Sequence, residues 1–331
     1  MKRLMLKTLA AAVAISAFGV AFAQEKTIKF TTQNPKGHPL VMGMEKFAEI
    51  VQAKSGGKIK VNLFPGGVLG GDAAVVSAIQ GGTIEMASMN SGILASQVKD
   101  FEVYDFPFMF ASSKEADAVV DGPFGKKMHA KLEPRGLIGL TYWELGFRQI
   151  TNSKRAINKV EDAEGLKLRV IPNAINVDWV KALGANPTPL AFPEVYAALE
   201  QKAIDGQENP LTVIAANKFF EVQKFATLTN HQYNPQSVLI SKKFWDTLSA
   251  DEKKIISDAA VESTAYQRQQ ARAQAGTALE TVKKGGMQVN ELAPAELAKF
   301  REKMKPVVDK HGAAIAETVK ELQAELAKAR Q

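Results

Sequence analysis

One polar segment near the C-terminus is too long to fit within a single small domain. Ser249 and Glu252 have the spacing of an N-terminal capping box, and Gly285 with Gly286 predicts the C-terminal end of a helix over 250–284. At about 1.5 Å per residue, this helix is roughly 50 Å long. A coiled coil is the competing interpretation, but no heptad pattern continues through "YQRQQARAQAG". We therefore expect the helix to lie across two domains.

The first 23 residues have the pattern of a secretory signal peptide. An apolar run over 9–23 ends in Ala-Phe-Ala, and it is preceded by three basic residues, Lys2, Arg3 and Lys7. The run is shorter than the about 20 apolar residues that a membrane anchor needs, although an uncleaved anchor is the alternative. We expect residues 1–23 to be removed, so that a soluble mature protein begins near Gln24 in the periplasm.

Composition and motifs argue against several function classes. The chain has no cysteine, which excludes thiol catalysis and cysteine-ligated metal sites. Its four histidines have no partner at metal-ligand spacing, and no nucleophile or phosphate-loop motif is present, so we expect no metal, no cofactor and no enzyme. The net charge falls from +7 to +4 when the three basic residues of the signal peptide are removed. This mild surplus does not indicate a nucleic-acid partner, but it suits an anionic small molecule.

Segments with strand and helix patterns alternate along the rest of the chain. Strands are predicted at 26–32, 58–64, 83–89, 136–143, 166–170 and 237–241. Helices are predicted between them, the first two within 39–57 and at 72–80. The stretches "PGGVLGGD" and "DGQENP" (205–210) are interpreted as turns. This β-α-β rhythm predicts an α/β fold with parallel or mixed sheets over more than one domain.

Two arginines and one asparagine lie where ligands bind in open α/β sheets. Arg148 follows the predicted strand 136–143, Arg169 ends the strand 166–170, and Asn209 precedes a proline and a helix. A guanidinium matches a carboxylate with two parallel N–H···O bonds. Each residue alone is more often structural, as an ion pair or a helix cap. If all three converge in one cleft, they form a carboxylate receptor.

These motifs carry a family resemblance that covers nearly the whole mature protein. The stretches "GLKLRV", "YWELGFRQITNSKR" and "PTPLAFPEVYAALEQKAIDGQENP" resemble the solute-binding subunits of tripartite ATP-independent periplasmic (TRAP) transporters, of the DctP type. The resemblance implies a periplasmic-binding-protein-like α/β fold, with two α/β domains, an interdomain ligand cleft and a long helix spanning both. We expect domain I to comprise 24–146 plus 234–273, and domain II to comprise 147–233 plus 274–331.

The resemblance also implies roles for individual residues. Arg169 would clamp the ligand carboxylate, Arg148 would assist or screen it, and Asn209 would donate a hydrogen bond to it. Phe192 would form part of the pocket wall. Further contacts are expected from five residues: Gln33, Asn90, Trp143, His38 and Asn173. The indole of Trp143 could equally be a core side chain.

The implied function is the capture of an organic acid anion, with a C4-dicarboxylate favoured. "YWELGFRQ" and "LTNH" are more similar to the C4-dicarboxylate binders of the family than to its sialic acid binders. The expected partners are a small-molecule carboxylate and the membrane permease subunits of a TRAP transporter, and the protein is expected to be a monomer. An exported sensor subunit and an exported enzyme acting on an organic acid are the alternatives.

Overall fold

Two β-sheets form the framework of residues 25–331, the part of the protein that the computed structural model describes. The strands are β1 (Lys26–Thr32), β2 (Ile59–Phe64), β3 (Met86–Asn90), β4 (Leu137–Phe147), β5 (Gln149–Asn152), β6 (Lys167–Val170), β7 (Asn186–Pro189), β8 (Gly206–Asn209), β9 (Phe225–Leu228), β10 (Tyr233–Ser241) and β11 (Gln288–Glu291). The first sheet has the order β2-β1-β3-β10-β4, and the second has the order β11-β9-β5-β8-β6-β7. The predicted signal peptide lies outside the described residues.

Helices alternate with these strands. They are α1 (Pro39–Lys54), α2 (Asp72–Gly81), α3 (Ser113–Asp121), α4 (Pro123–Ala130), α5 (Ala174–Ala182), α6 (Val195–Glu200), α7 (Leu211–Ala216), α8 (Lys242–Trp245), α9 (Ala250–Lys284), α10 (Pro294–Ala313) and α11 (Ala316–Ala329). Within residues 25–331, no helix is both long and apolar enough to cross a bilayer. The alternation of strands and helices confirms the predicted α/β class.

The backbone passes between the two sheets at Arg148 and again near residues 229–232. Arg148 separates β4 of the first sheet from β5 of the second, and residues 229–232 lead from β9 back to β10. In the first sheet β1 is parallel to β2 and β3, whereas β10 is antiparallel to both of its neighbours. Mixed sheets with helical crossovers agree with the predicted periplasmic-binding-protein-like fold.

Helix α9 confirms the predicted long helix and contacts the cores of both sheets. Its capping box forms as expected, with the Ser249 hydroxyl accepting from the Glu252 N–H at 3.2 Å and the Glu252 carboxylate accepting from the Ser249 N–H at 2.8 Å. Ile256 packs in the cluster that contains Phe30 of β1. Val282, near the other end, packs in a second cluster with Ala226 of β9. The helix therefore spans both halves of the fold.

The polar character of α9 is explained by the edge of the first sheet, where β4 pairs with β10 on one side and has no strand among the described residues on the other. An edge strand exposes backbone N–H and C=O groups that need partners. The Gln267 side chain accepts from the Glu144 N–H at 2.8 Å and donates to the Glu144 carbonyl at 2.7 Å. Arg268 donates to the Tyr142 carbonyl at 2.9 Å. The helix thus uses buried polar side chains to complete the sheet.

The C-terminal helices pack against different parts of the molecule. Phe300 and Met304 of α10 belong to the core cluster of the second sheet, which contains Leu168 and Trp179. Helix α11 instead contacts α3 and α4, and its Leu322 packs in the cluster of the first sheet. The expected domain boundaries stay a prediction.

The sequence pattern missed five short strands: β5, β7, β8, β9 and β11. The interpretation of 205–210 as a polar turn is wrong, because Gly206–Asn209 form β8, which pairs with β5 and β6 and is buried throughout. Polar residues are unusual in a central strand. Here they are satisfied by other polar side chains, such as Thr151, which accepts from the Gln207 amide at 2.8 Å. Hydrophobic alternation therefore could not reveal the strand.

We expect Gln267→Ala to lower the free energy of unfolding by about 2 kcal/mol. The substitution leaves the buried N–H and C=O groups of Glu144 without their side-chain partner, and such groups typically cost about 1–3 kcal/mol. Gln269→Ala is the matched control, because Gln269 lies on the same helix and is exposed. Urea unfolding measures the free energy of unfolding of both variants. Equal unfolding midpoints for the two variants would show that α9 does not stabilise the edge strand in this way.

Candidate functional site

A cavity of about 40 Å³ lies at the carboxyl ends of strands from both sheets. The first half of the chain and β10 contribute Thr32, Gln33, Asn34, Asp72, Ser88, Met89, Asn90, Leu145 and Gln236. Arg148, at the crossing between the sheets, also lines the cavity. The second sheet and its connecting segments contribute Arg169, Ile171, Phe192, Asn209 and Val213. Ligands of open α/β folds bind at this end of the strands. Six of the predicted ligand residues are therefore brought together: Arg169, Arg148, Asn209, Phe192, Asn90 and Gln33.

Strand pairing sets the positions of these side chains. In the second sheet, β6 and β8 are parallel, with Arg169 opposite Gln207. In the first sheet, β3 and β10 are antiparallel, with Asn90 opposite Gln236. Polar side chains from neighbouring strands are thus held side by side on each wall of the cavity.

Arg169 presents a buried guanidinium of which only one nitrogen is bonded. Its Nε donates to the Leu190 carbonyl at 2.9 Å, and its Cζ lies 5.8 Å from the centroid of the Phe192 ring. Its side chain is buried, and burial lowers its pKa to about 10. Neither Nη1 nor Nη2 has a hydrogen-bond partner among residues 25–331. Two parallel donors of a fixed guanidinium are therefore available to a carboxylate.

Arg148 also lines the cavity, but an internal carboxylate occupies its donors. Both the Nε and Nη2 groups bond to the Glu208 carboxylate, with the Nη2–Oε1 distance at 2.7 Å. Nη2 also donates to the Glu208 carbonyl and Nη1 to the Asn234 side chain, each at 2.5 Å. Arg148 and Glu208 are each 1% exposed. The structure therefore gives Arg148 a structural partner, and its expected assistance to the ligand stays a prediction.

Glu208, the buried partner of Arg148, was not predicted from the sequence. Burial favours its neutral form, but the charge of Arg148 and hydrogen bonds from His231 and Arg148 outweigh burial and lower its pKa to about 2. His231 lies 3.3 Å from Glu208 through Nε2, and its Nδ1 lies 2.8 Å from the Thr229 hydroxyl. No local sequence pattern marked Glu208, because it lies between two polar residues in a strand whose burial depends on the tertiary structure. Interpreting that strand as a turn concealed it.

Asn209 and Gln207 form a polar pair beside this ion pair. The Asn209 side-chain amide donates to Gln207 Oε1 at 2.6 Å, and both residues are buried. Asn209 lines the cavity, and its strand β8 neighbours β6, which carries Arg169.

The opposite wall carries buried polar atoms that the protein itself does not satisfy. Asn90 caps a 3₁₀ helix by accepting from the Gly92 N–H at 2.7 Å, and Gln33 donates to the Gly70 carbonyl at 3.0 Å. Six polar atoms of cavity-lining residues have no partner within 25–331: Thr32 Oγ1, Gln33 Oε1, Asn34 Oδ1, Ser88 Oγ, Asn90 Nδ2 and Gln236 Nε2. Because buried polar groups are normally hydrogen-bonded, this cluster indicates a binding surface.

Asp72 adds a negative charge to the same wall. It is the first residue of α2 and is half-buried. Burial raises its pKa to about 6, although the Gln33 side chain and the charge of Arg169 act in the opposite direction. Asp72 was not among the residues expected from the sequence, because it lies in a segment interpreted only as the start of a helix.

Three expected ligand residues do not line the cavity. His38 caps α1 by accepting from the Leu40 N–H at 3.2 Å, and burial lowers its pKa to about 3. Trp143 is a core side chain, 5.8 Å from the Phe30 ring. Asn173 caps α5 and donates to the carboxylate of Asp105. The structure thus places two of these residues at helix ends and one in the core, and their expected ligand contacts stay predictions.

The glycine-rich turn over 65–71 reaches across to the segment that carries Phe192. A Cβ added to Gly67, which has a φ of +70°, would lie 2.7 Å from Gln33 Oε1 and 3.1 Å from Pro193 Cγ. A Cβ added to Gly71 would lie 3.2 Å from the Ala191 Cβ. The small residues of this turn therefore permit close contact beside the cavity.

Comparison with known proteins identifies the family. Residues 30–314 match the family described as "Bacterial extracellular solute-binding protein, family 7", also named DctP. The protein belongs to this family. Among residues 25–331 of this solute-binding protein, no group of three or more His, Asp or Glu side chains is placed to hold a metal ion.

Relatives of this solute-binding protein include periplasmic proteins with named ligands. The C4-dicarboxylate-binding periplasmic protein DctP of Rhodobacter capsulatus is 34% identical, over 90% of each protein. The sugar acid binding protein DctPAm of Advenella mimigardefordensis, solved with galactonate, is 43% identical, with a TM-score of 0.91 over 92% of this protein and 99% of that one. A TRAP periplasmic solute binding protein of Ochrobactrum anthropi, with its C-terminus bound in the ligand binding pocket, is 56% identical, with a TM-score of 0.82 over 93% and 97%.

We expect Glu208→Gln to destabilise the fold by about 3–5 kcal/mol at pH 7, because it leaves the buried charge of Arg148 without its partner. The pKa of Glu208 falls from an ordinary 4.5 to about 2 on folding. Its ionised form therefore stabilises the protein fully above pH 4.5, and this contribution is lost as the pH falls towards 2. The difference between wild type and variant should accordingly shrink on acidification, as measured by urea unfolding at pH 7 and pH 3.

Glu262→Gln is the control for this prediction. Glu262 pairs with Lys54 at 2.7 Å, but both side chains are exposed, so the change should stay below about 1 kcal/mol. A Glu208→Gln effect no larger than that of Glu262→Gln would contradict the importance of the buried pair.

Proposed function

We propose that this protein captures an organic acid anion in the periplasm and delivers it, as a monomer, to the membrane permease of a TRAP transporter. The observation that carries the proposal is the buried guanidinium of Arg169, whose Nη1 and Nη2 have no hydrogen-bond partner among the described residues. A carboxylate placed there would accept two parallel charge-assisted bonds. Asn209, on the neighbouring strand, would donate to the same group.

The geometry of the cavity supports the binding of a ligand between the two halves of the molecule. Side chains from both sheets line it, so a ligand would hold the two halves of the molecule together. Entry and release would require these halves to separate, with the backbone changes concentrated near Arg148 and residues 229–232. A permease can respond to ligand only through a difference between the open and closed states.

Relatives support the carboxylate assignment. The Advenella protein holds galactonate, which has one carboxylate, and the Ochrobactrum protein has its C-terminus bound in the ligand binding pocket. The Rhodobacter protein is named for C4-dicarboxylates. An organic acid anion is the ligand class that these proteins share.

We expect a cognate acid to raise the melting temperature by several degrees. A ligand that binds only the native state adds about 2.7 kcal/mol at 100 times its Kd. Differential scanning fluorimetry with succinate, L-malate, fumarate, D-erythronate and D-galactonate tests this, and galactitol and sodium sulfate control for uncharged and inorganic solutes. The proposal fails if no carboxylate in the panel shifts the transition beyond these controls.

We expect Arg169→Ala to lower the affinity for the best acid of that panel more than tenfold, because the loss of a buried charge pair typically costs about 2–5 kcal/mol. Arg169→Lys keeps the charge but removes the two-pronged geometry, so it should bind only slightly better than Arg169→Ala. Isothermal titration calorimetry measures the affinity of both variants for the acid. Lys167→Ala is the matched control, since Lys167 lies on the same strand and is exposed. An Arg169→Ala affinity within twofold of wild type would refute the clamp.

A further inference from the structure

The charged residues that line the cavity can pair with one ligand carboxylate. Three charged residues line it: Asp72, Arg148 and Arg169. Glu208 already neutralises Arg148 through two hydrogen bonds to its guanidinium. Arg169 is therefore the cation left for a ligand among these lining residues. A second carboxylate on the same ligand would meet no free positive charge, and it would share the cavity with Asp72.

The wall opposite Arg169 matches hydroxyl groups better than a second carboxylate. A carboxylate only accepts hydrogen bonds, whereas a hydroxyl both donates and accepts. The atoms without partners on this wall include two amide oxygens, Gln33 Oε1 and Asn34 Oδ1, which need donors. They also include two amide nitrogens, Asn90 Nδ2 and Gln236 Nε2, which need acceptors. Ligand hydroxyls satisfy both sets, but a carboxylate would leave the oxygens unsatisfied.

Asp72 strengthens the preference of this wall for ligand hydroxyls over a second carboxylate. Its carboxylate can accept from a ligand hydroxyl, but it repels a ligand carboxylate, and like charges placed together at a desolvated interface are strongly unfavourable. With a pKa of about 6, Asp72 is mostly ionised at neutral pH. The Gln33 side chain lies beside it and does not neutralise its charge.

We infer that this site selects a hydroxylated monocarboxylic acid, such as an aldonic acid, over a dicarboxylic acid of the same length, and that Asp72 sets the selection. The inference rests on the proposed function, because it assumes that Arg169 holds the ligand carboxylate. It differs from the preference for a C4-dicarboxylate that the sequence favoured.

Two pairs of acids test the selection at constant carbon number. D-Erythronate and succinate each have four carbons, whereas D-galactonate and galactarate share six carbons and their internal hydroxyls but differ in the second carboxylate. Calorimetry at pH 7.5 should give the monocarboxylate at least about tenfold higher affinity in each pair that binds. Dicarboxylates that bind as tightly as their partners would overturn the inference and leave the proposed function intact. If none of the four acids and no other carboxylate binds, both fail.

Asp72→Asn separates the charge of this residue from its hydrogen bonding. Asparagine still bonds to a hydroxyl but no longer repels a carboxylate, so the preference should fall to about threefold or less, mainly through tighter dicarboxylate binding. Glu194→Gln is the matched control, because Glu194 also acts on the charge of Arg169 but does not line the cavity. It should leave the preference within about twofold of wild type. Circular dichroism and the melting temperature confirm that each variant is folded. An unchanged preference in Asp72→Asn would overturn the role of Asp72.

Discussion

The buried ion pair of Arg148 and Glu208 is the interaction on which the rest of the molecule depends. Arg148 lies between β4 and β5, where the backbone leaves the first sheet, and it also bonds to Asn234 of β10, where the backbone returns. A charge without a partner at this depth is too unfavourable to tolerate, so the pair fixes both crossings together. It also neutralises one of the two arginines that line the cavity. Arg169 is then the lining cation that remains for the proposed ligand.

The long helix α9 covers the open edge of the first sheet. Gln267 bonds to both backbone groups of Glu144, so β4 does not present free hydrogen-bonding groups there. The same helix reaches the core of the second sheet through Val282. A helix with so many polar residues is therefore stable because its buried polar groups have partners. Its length connects the two halves whose side chains together form the cavity.

Several parts of this arrangement could be predicted from the sequence because they depend on local chemistry. The capping box at Ser249 and the predicted positions of α1 and β1 depend on neighbouring residues, and the structure confirms them. The motif around Arg169 indicated a carboxylate site through family resemblance. Short strands such as β8 could not be predicted, because their polar residues are buried only through contacts with distant parts of the sequence.

The sequence by itself therefore determined the α/β class, the long helix, the family and the arginine expected to hold the ligand. Only the tertiary structure decided which polar residues face the cavity. His38 and Asn173 cap helices, whereas Asp72 lines the site. The tertiary structure also decided that, among residues 25–331, Arg148 pairs with a carboxylate and Arg169 does not, because the partner of Arg148 is 60 residues away along the sequence. Charge pairing of this kind depends on strand register and burial, which no local pattern encodes.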